Sequence, residues 1–437
     1  MQRRDILKAA LCAALCPVCL PGPNARASAT FLRGFNAYYL HEELYRRAEA
    51  LQFKNLREAA RDYLFKELAL PDLVARCSFN AVRFWAFNHY PCEAKVGPSS
   101  KACTALASGE PNRPSLDVMA ALLDGLEELG LALAPVLSNY WLSYGGVLAM
   151  LEWAGELPPG TYEKAFCGLS KTGADDLLHE HSLAFYSGDA PREAYRRAVR
   201  PVLEILAGRK GLAVVELMNE PRGLFPQGGD ARAARSAVAS WLAWQGSFAR
   251  SILHDGVRLS SGEEGWLAKG VPDLPEALKP GGEPWEGVDM LDNVRNGGMD
   301  VASVHCYLHP GAAKSFENIC GIWHEDVRGW DFLMKDPSAR PDILAAAGEG
   351  WIAARGAACG QIPWYLGEFG WTRPGPDREP LVGEAIREER ARVYASWMES
   401  ARKAGAFGAF VWMPDGPDHK DTFYGLDRED LIRCFAS

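Results

Sequence analysis

The feature that most constrains the fold of this chain is a repeated alternation of short apolar runs with longer amphipathic segments. Eight apolar runs have the length and composition of buried strands. They cover residues 34–39, 81–87, 131–137, 213–218, 256–261, 301–307, 363–368 and 406–412. Most of these runs are followed by a segment with helical periodicity, an order typical of a parallel sheet. The sequence therefore predicts an α/β protein built as a single (β/α)8 TIM barrel.

Apolar stripes with a period of 3.6 residues mark the helices between these runs. The clearest stripe consists of Leu116, Met119, Leu122, Leu123, Leu126 and Leu129. Ser115 precedes this stripe and is the expected N-cap. A second stripe consists of Val238, Trp241, Leu242, Phe248, Ile252 and Leu253. A third helix is expected before the last strand, where Val393 and Trp397 are one turn apart.

Three long insertions interrupt this alternation. They cover residues 91–114, 141–191 and 308–350, and they follow the predicted strands two, three and six. In a TIM barrel the segments that follow strands lie at the C-terminal face, which also carries the active site. The sequence therefore predicts long irregular βα-loops around the candidate site, within one catalytic domain that covers residues 30–437.

The first 29 residues are predicted to be a twin-arginine-type signal peptide. Arg3 and Arg4 precede a moderately apolar segment, residues 9–20. Small residues at 25–27 or at 27–29 offer a cleavage site. Twelve apolar positions are too few to span about 30 Å of hydrocarbon, which argues against a membrane anchor. We therefore expect a bacterial periplasmic or secreted protein with no membrane contact after the signal is removed.

The charge balance excludes some classes of partner. The chain has 47 Lys+Arg against 56 Asp+Glu, for a net charge of −9. Removal of residues 1–29, which hold four basic residues and one acid, changes the net charge to −12. Nucleic acids and anionic membranes require a basic surface, so neither is expected as a partner. The 14 Trp and 14 Tyr residues instead supply flat amphipathic surface for a neutral ligand.

The cysteines become relevant because export permits disulfides. Eight remain after residue 29, namely Cys77, Cys92, Cys103, Cys167, Cys306, Cys320, Cys359 and Cys434. Cys92 and Cys103 flank a short loop rich in Gly, Pro and Ser and form the best candidate pair. The pairing of the others stays open, and buried free thiols are the alternative. None of the eight has the CxxC spacing of a structural zinc site.

The strongest chemical signal is the Asn219-Glu220-Pro221 segment at the end of the fourth apolar run. Because proline cannot donate to a strand ladder, Pro221 ends the strand and leaves Asn219 and Glu220 at its C-terminal rim. We expect burial to raise the pKa of Glu220, as an acid catalyst needs, and the amide to hold a substrate hydroxyl. The alternative is an acid that caps the following helix.

A second glutamate, Glu368, ends the seventh apolar run and is followed by Phe369 and Gly370. Alone it is equally well a buried salt-bridge partner. In the barrel, however, strands four and seven lie on opposite walls of one mouth, so Glu220 and Glu368 are predicted to face each other. Two carboxylates about 5 Å apart are the apparatus of retaining glycoside hydrolysis.

Other polar and aromatic residues lie at the same predicted edge. His305 and Tyr307 share one face of strand six, where Tyr307 is expected to hydrogen-bond Glu368 and His305 to contact sugar hydroxyls. Arg83 is a charge within an apolar run and needs a carboxylate partner, which Glu368 would supply. Trp412 ends strand eight, where its ring would form the floor of a sugar site. The alternative for all four is packing or pairing in the core.

These residues occur in segments that resemble glycoside hydrolase family 5, and within it the endo-β-1,4-mannanases. The segments are 34–40, 82–88, Asn139-Tyr140-Trp141 with Tyr144-Gly145-Gly146, 216–222, 304–307 and 367–370. They fall in the family's order and cover strands one to seven. The Trp-Ala-Phe and Asn-x-Trp…Tyr-Gly-Gly segments favour mannanases over cellulases.

The resemblance implies a role for each matching residue. Glu220 corresponds to the acid/base, Glu368 to the nucleophile, and Asn219 to the residue on the sugar 2-hydroxyl. The supporting and substrate-binding set consists of Arg83, Asn139, Trp141, His305, Tyr307 and Trp412. No cofactor and no metal is expected, although His179-Glu180-His181 is a candidate ligand pair that a solvated loop explains equally well.

The expected substrate is a β-mannan polysaccharide or a manno-oligosaccharide. A related β-glycanase of the cellulase type and an exo-β-mannosidase remain alternatives within the same chemistry. A non-catalytic periplasmic sugar-binding barrel is the alternative from another class, although Glu220 and Glu368 argue against it. The sequence does not indicate an oligomeric state.

Overall fold

The computed structural model of the chain describes most of the predicted catalytic domain. The described residues are 30–90, 100–168, 171–223, 230–267, 286–307, 341–371, 383–421 and 424–436. Residues 31–437 form one compact unit. Across these described segments, no helix combines the length and the apolar character needed to cross a membrane. The predicted signal peptide, residues 1–29, lies outside them.

Eight parallel strands in the described segments form a barrel. They are β1 Leu32–Asn36, β2 Ala81–Trp85, β3 Ala132–Val136, β4 Val215–Glu216, β5 Leu259–Ser260, β6 Ala302–Tyr307, β7 Trp364–Gly370 and β8 Gly408–Val411. Their order in the sheet is β5-β4-β3-β2-β1-β8-β7-β6. A parallel bridge between Ser260 and Val301 joins β5 to β6 and closes the ring. The predicted (β/α)8 barrel is confirmed, and every predicted apolar run overlaps one strand.

Helices surround the barrel. The described ones are α1 Leu40–Ala50, α2 Leu56–Arg61, α3 Leu70–Cys77, α4 Arg113–Glu128, α5 Gly146–Trp153, α6 Thr161–Gly168, α7 Lys171–Ser187, α8 Asp189–Leu206, α9 Ala231–Arg250, α10 Met290–Arg295, α11 Pro341–Cys359, α12 Glu384–Lys403 and α13 Arg428–Phe435. A π-helical turn, Asp62–Glu67, continues α2. The stripes predicted around residues 116, 238 and 393 lie mainly on α4, α9 and α12, which confirms those three helices, but Leu129, Ile252 and Leu253 follow the helix ends.

The predicted N-cap of α4 is wrong. The helix begins at Arg113, two residues before Ser115, with Pro114 in its first turn. Proline is tolerated there because first-turn N–H groups have no acceptor within the helix. The Ser115 hydroxyl instead donates to the carbonyl oxygen of Ala102 at 2.8 Å and lies 3.2 Å from the ring of His41.

The insertion at residues 141–191 is largely helical, contrary to the prediction of irregular structure. It contains α5, α6 and α7, and its end forms the first turn of α8. The first six residues of α5 are all buried. A helix that is buried all round carries no polar face, and therefore no periodic stripe reveals it. Of the other two predicted insertions, 308–350 lies largely outside the described residues, whereas in 91–114 only residues 91–99 do.

The barrel interior is layered. The lower layer consists of Ala81, Ala134, Val214, Val301, Tyr365 and Phe410. In this layer, small side chains of β2 and β3 pack with large aromatic rings of β7 and β8. Arg83 follows Ala81 by two residues and Glu216 follows Val214 by two. Because side chains alternate along a strand, both point inward one layer higher. Charged groups therefore lie inside the barrel, directly below its C-terminal edge, which we call the barrel mouth.

The cysteines divide into two groups. Cys103 forms a disulfide. Cys92, its predicted partner, lies outside the described residues, so this pairing stays a prediction. Cys77, Cys359 and Cys434 are buried free thiols, which is the alternative that the sequence left open for them.

Candidate active site

Glu220 is carried into the barrel mouth by an unusual backbone conformation. Its φ is +50°, in the left-handed region that non-glycine residues rarely adopt. Two contacts hold this conformation: the Glu220 N–H donates to the carbonyl oxygen of Gly262 at 2.8 Å, and the N–H of the preceding Asn219 donates to that of Ser138 at 2.8 Å. Such strain persists only where the surroundings fix it, and it is concentrated at functional sites.

Glu368 lies opposite Glu220, within β7. One carboxylate oxygen of each glutamate lies within 4.8 Å of the other. Retaining glycosidases hold their two carboxyl groups about 5–5.5 Å apart, whereas inverting enzymes need about 6.5–9.5 Å to admit a water molecule. The predicted carboxylate pair is therefore present, at the spacing of the retaining mechanism.

Glu368 is held by donors on both of its oxygens. The Nη1 group of Arg83 donates to Oε1 at 2.5 Å, and the Tyr307 hydroxyl donates to Oε2 at 2.5 Å. The glutamate is 3 % exposed and the arginine is fully buried. Both contacts were predicted from the sequence and are confirmed. They fix the orientation of the carboxylate.

Glu220 has a different set of neighbours. The Trp141 indole N–H donates to its Oε2 at 2.6 Å, and Nδ1 of His305 lies 2.8 Å from its Oε1. Nδ1 also faces Glu368 and lies 3.7 Å from its Oε2, and the contact of His305 with sugar hydroxyls stays a prediction. The imidazole is a bridge between the two carboxylates.

Protonation of these three groups is coupled. Burial raises the pKa of Glu368 and the charge of Glu220 raises it further, while His305 and Arg83 oppose the rise. Burial disfavours the charge on His305, but the two glutamates raise its pKa overall. Burial also disfavours ionised Glu220, yet His305, Arg222 and Trp141 bring its pKa to about 2.

The predicted rise in the pKa of Glu220 is therefore wrong. The expectation considered burial alone and did not include the imidazole at hydrogen-bond distance. The pKa of His305 is raised, and its Nδ1 lies 2.8 Å from Oε1 of Glu220.

Arg83 connects both sides of the site. All five of its N–H donors have acceptors, two of them on Glu216, and the others on Glu368, Asn36 and Asn219. The amide nitrogen of Asn219 in turn donates to Oδ1 of Asn139 at 3.0 Å. This network places the Asn219 side chain beside the catalytic pair.

Trp412 follows β8 directly and lines a cavity, and its ring also contacts the ring of Tyr307, the residue that donates to Glu368. Its indole N–H donates to Asp421 at 2.9 Å, and Tyr38 stacks on its ring at a centroid distance of 5.5 Å. The cavity has a volume of about 420 Å³, within the usual range for a small-ligand site. Its lining also includes Glu42, Trp85, Tyr144 and His419. A sugar ring placed here would meet aromatic faces and polar groups together, as the position predicted for Trp412 requires.

Comparison with known proteins was made on both sequence and structure. No family model matches the chain. A putative mannan endo-1,4-beta-mannosidase 5 of Oryza sativa subsp. japonica is 26% identical over 306 residues, which cover 66% of this chain and 52% of that protein. The mannan endo-1,4-beta-mannosidase A of Podospora anserina is 22% identical over 382 residues, covering 84% of this chain and 79% of the fungal protein. The chain is similar to mannan endo-1,4-beta-mannosidases. The matched segment spans about half the length of the rice relative.

A solved structure shows the same fold. The glycoside hydrolase family 5 mannosidase of Rhizomucor miehei superposes with a TM-score of 0.59 at 15% identity. The superposition covers 94% of each chain. The barrel architecture is therefore shared over nearly the whole length of both proteins.

The predicted site residues all lie at or just below the barrel mouth. The structure brings together Arg83, Asn139, Trp141, Asn219, Glu220, His305, Tyr307, Glu368 and Trp412. Glu216, the second carboxylate on Arg83, was not predicted as part of the site. The sequence feature that indicates Glu216 is an acidic residue within an apolar strand, two residues after the inward-facing Val214.

Two sets of side chains resemble metal ligands. His179, Glu180 and His181 lie within helix α7, not in a loop, and residues two apart on a helix point to different sides. Glu220, His305 and Glu368 offer ligand atoms within 4.8 Å of one another. Oxygens of both glutamates, however, already accept hydrogen bonds, and the buried Arg83 cation supplies positive charge beside them. Glu220 and Glu368 are therefore arranged as a hydrogen-bonded carboxylate pair.

A histidine clamp joins the loop after β8 to the helix after β1. His419 places Nδ1 2.9 Å from Glu43 and Nε2 3.3 Å from Glu42, and both glutamates are buried. Burial of His419 opposes its charge, but hydrogen bonds to Glu42 and Glu43 raise its pKa to about 9. The clamped loop also carries Asp421, which holds Trp412. The clamp therefore fixes one wall of the cavity.

The clamp predicts how stability depends on pH. Because the pKa of His419 is higher in the folded protein than in the unfolded chain, the protonated clamp stabilises the fold. This contribution is complete below the unfolded-state pKa of about 6.5, and it is lost as the pH rises through the folded-state pKa of about 9. We expect thermal denaturation to report a loss of about 1–2 kcal/mol between about pH 7 and pH 10, after allowance for solvent screening. A His419→Gln variant should lack this part of the loss. An identical pH dependence in both proteins would contradict a charged clamp.

Proposed function

We propose that the chain is a retaining glycoside hydrolase that cleaves β-1,4-mannosidic bonds, with Glu368 as the nucleophile and Glu220 as the acid/base. The observation that carries the proposal is the pair of carboxylates within 4.8 Å across the barrel mouth, in unlike surroundings. Glu368 accepts hydrogen bonds from a cation and a phenol, whereas Glu220 contacts an indole and an imidazole. This asymmetry supports different roles for the two glutamates.

The first step forms a covalent intermediate. Glu220, loaded with the proton that His305 holds, protonates the oxygen of the leaving sugar as its bond to the anomeric carbon breaks. An oxygen of Glu368 attacks that carbon from the opposite face and forms a glycosyl ester. Arg83 and Tyr307 hold the nucleophile during the attack.

The second step releases the sugar. Glu220, now a carboxylate, accepts a proton from a water molecule, whose oxygen attacks the anomeric carbon and displaces Glu368. Two inversions give net retention of the β-configuration. His305 lies within hydrogen-bond distance of Glu220, so the proton can return to the imidazole after each turnover.

The mannan specificity is supported by the similarity to proteins named mannan endo-1,4-beta-mannosidases. We propose a neutral β-mannan or a manno-oligosaccharide as the substrate. The aromatic lining contributed by Tyr38, Trp85 and Trp412 supports it, because such rings bind the apolar faces of sugars.

The test is a substrate screen of the purified protein. We expect reducing ends to appear from linear mannan, galactomannan and glucomannan, and little release from carboxymethylcellulose. Release from the cellulose derivative alone would indicate a cellulase-type glycanase. Removal of single mannose units from mannohexaose would indicate exo action, and calorimetric binding of the oligosaccharides without turnover would indicate a sugar-binding barrel.

We also propose that residues 1–29 direct export by the twin-arginine route to the periplasm or the medium. The Arg3-Arg4 pair, the apolar segment 9–20 and the small residues before position 30 support this proposal. In a bacterial host, an Arg3→Lys, Arg4→Lys double variant should keep the protein in the cytoplasm. Unchanged export of that variant would contradict the route.

A further inference from the structure

Arg83 divides its hydrogen bonds unequally between two carboxylates. Its Nε and Nη2 groups donate to the two oxygens of Glu216, each at 2.7 Å. Glu368 receives a single contact from Nη1. The paired geometry of a guanidinium fork on a carboxylate is the stronger and more directional arrangement. The main partner of the arginine is therefore a residue that does not touch the reacting atoms.

Glu216 is itself held rigidly. Its side chain is fully buried, and the Tyr365 hydroxyl donates to its Oε1 at 2.6 Å. The backbone of Gly262 passes so close that a Cβ there would lie 2.6 Å from Oε2. The carboxylate consequently has one position available, and the plane of the guanidinium on it is fixed as well.

Because Glu216 fixes the plane of the guanidinium, the directions of the other N–H groups of Arg83 are fixed as well. They meet Glu368, Asn219 at 2.8 Å and Asn36 at 2.9 Å. Asn36 is anchored in turn, because its amide donates to the carbonyl oxygen of Gly367 at 3.0 Å. The direction from which Glu368 is held thus depends on Glu216, at the far side of the arginine.

We propose that Glu216 is a positioning residue of the reaction: it orients Arg83 toward Glu368 and Asn219 and shares the arginine's charge, so that Glu368 is held but not fully neutralised. This inference rests on the proposed function for its catalytic consequence. A carboxylate that is the sole counter-ion of a buried arginine is a weaker nucleophile than one that shares that cation.

The charged and titratable groups around Glu368 make this effect measurable. Arg83 faces it from β2, Glu220 from the end of β4, and His305 and Tyr307 from β6. A substitution at residue 216 leaves the chemical identity of all four of these side chains unchanged. Removal of the Glu216 charge leaves Arg83 acting on Glu368 alone, which favours the ionised nucleophile and moves its titration to lower pH.

A Glu216→Gln variant tests the charge. The kcat on mannopentaose should fall by about 10-fold to 100-fold with KM changed by less than about threefold, since the substrate does not touch residue 216. The acid limb of the kcat/KM profile should move down by about one pH unit. A purely structural role would lower activity without moving this limb. An unmoved limb together with a kcat within about threefold of the wild-type value would overturn the proposal.

A Glu216→Asp variant separates charge from geometry and serves if the glutamine variant does not fold. It keeps the negative charge but shortens the side chain, so we expect an unmoved acid limb and a reduced kcat. Unchanged kcat would contradict the positioning role. Glu263→Gln is the matched control, because Glu263 is an equally buried acid whose hydrogen bonds come from Ser261 and Asn293 and not from Arg83. Its acid limb should match that of the wild type.

A second measurement needs no substrate. Titration of ¹³C-labelled glutamate carboxyls by NMR, with the Glu368 signal assigned by its absence from a Glu368→Gln spectrum, should show a lower midpoint in Glu216→Gln than in the wild type. A lowered midpoint in a protein that cleaves no glycan would support the link from Glu216 to Glu368 and contradict the proposed function. An unchanged midpoint in an active glycosidase would contradict the inference alone.

Discussion

Replacing Glu368 with alanine is expected to lower kcat on mannan by about 10⁴-fold or more, because the covalent route loses its nucleophile. The fold should survive the change. Arg83 retains both contacts to Glu216, so no buried cation is left without a carboxylate. Activity assays combined with a thermal melt check both expectations.

Chemical rescue makes this result specific for a nucleophile. The cavity left by Glu368→Ala should admit azide, which attacks an activated aryl β-mannoside from the nucleophile's face and gives the α-mannosyl azide. A Glu368→Gln variant keeps the volume filled and should not be rescued. Substantial turnover of mannan by the alanine variant without azide would contradict the assignment of Glu368.

Replacing Glu220 with alanine should lower kcat on mannan by about 10³-fold, within the range that general acid–base catalysis contributes. The effect should depend on the leaving group. A dinitrophenyl β-mannoside needs no proton on departure, so formation of the glycosyl-enzyme should stay fast and its hydrolysis should become slow. Stopped-flow kinetics should then show a burst followed by slow turnover.

Azide also tests the role of Glu220, and the azide product is expected to have the opposite anomeric configuration to that from Glu368→Ala. In Glu220→Ala it should intercept the glycosyl-enzyme on the face normally used by water and give the β-mannosyl azide. The two alanine variants are thus expected to form opposite anomers. An α-azide from Glu220→Ala, or equal losses with good and poor leaving groups, would contradict its role as acid/base.

The catalytic pair was predictable because each glutamate ends an apolar run beside a residue that changes the backbone. Pro221 follows Glu220, although β4 itself already ends at Glu216, and Gly370 closes β7 after Glu368. In a closed parallel barrel all strand ends meet at one mouth. Strand order alone was therefore enough to place the two carboxylates opposite each other.

Their immediate surroundings were less predictable because those depend on distant parts of the chain. The alternation of β6 predicted that His305 and Tyr307 share a face, and Tyr307 indeed contacts Glu368. Which oxygen His305 meets is decided by the left-handed backbone of Glu220, which no local pattern indicates. The pKa of Glu220 is lowered by that same imidazole, so an expectation based on burial alone gave the opposite direction.

Glu216 shows a second reason why the sequence does not predict the whole site. The sequence indicates that a buried Arg83 needs a carboxylate, and Glu368 is the partner that it predicts. A guanidinium has five donors and one carboxylate satisfies at most two of them. Counting those donors against the inward positions of neighbouring strands would have pointed to Glu216, two residues above Val214.

The central claim is retaining cleavage of a β-mannosidic bond, and real-time ¹H NMR of mannohexaose hydrolysis tests it most directly. The carboxylate spacing within 4.8 Å predicts that the β-anomer of the new reducing end appears first and that the α-anomer follows by mutarotation. Initial appearance of the α-anomer would contradict the retaining mechanism, and no cleavage of mannohexaose under conditions where the protein is folded would contradict the proposed substrate.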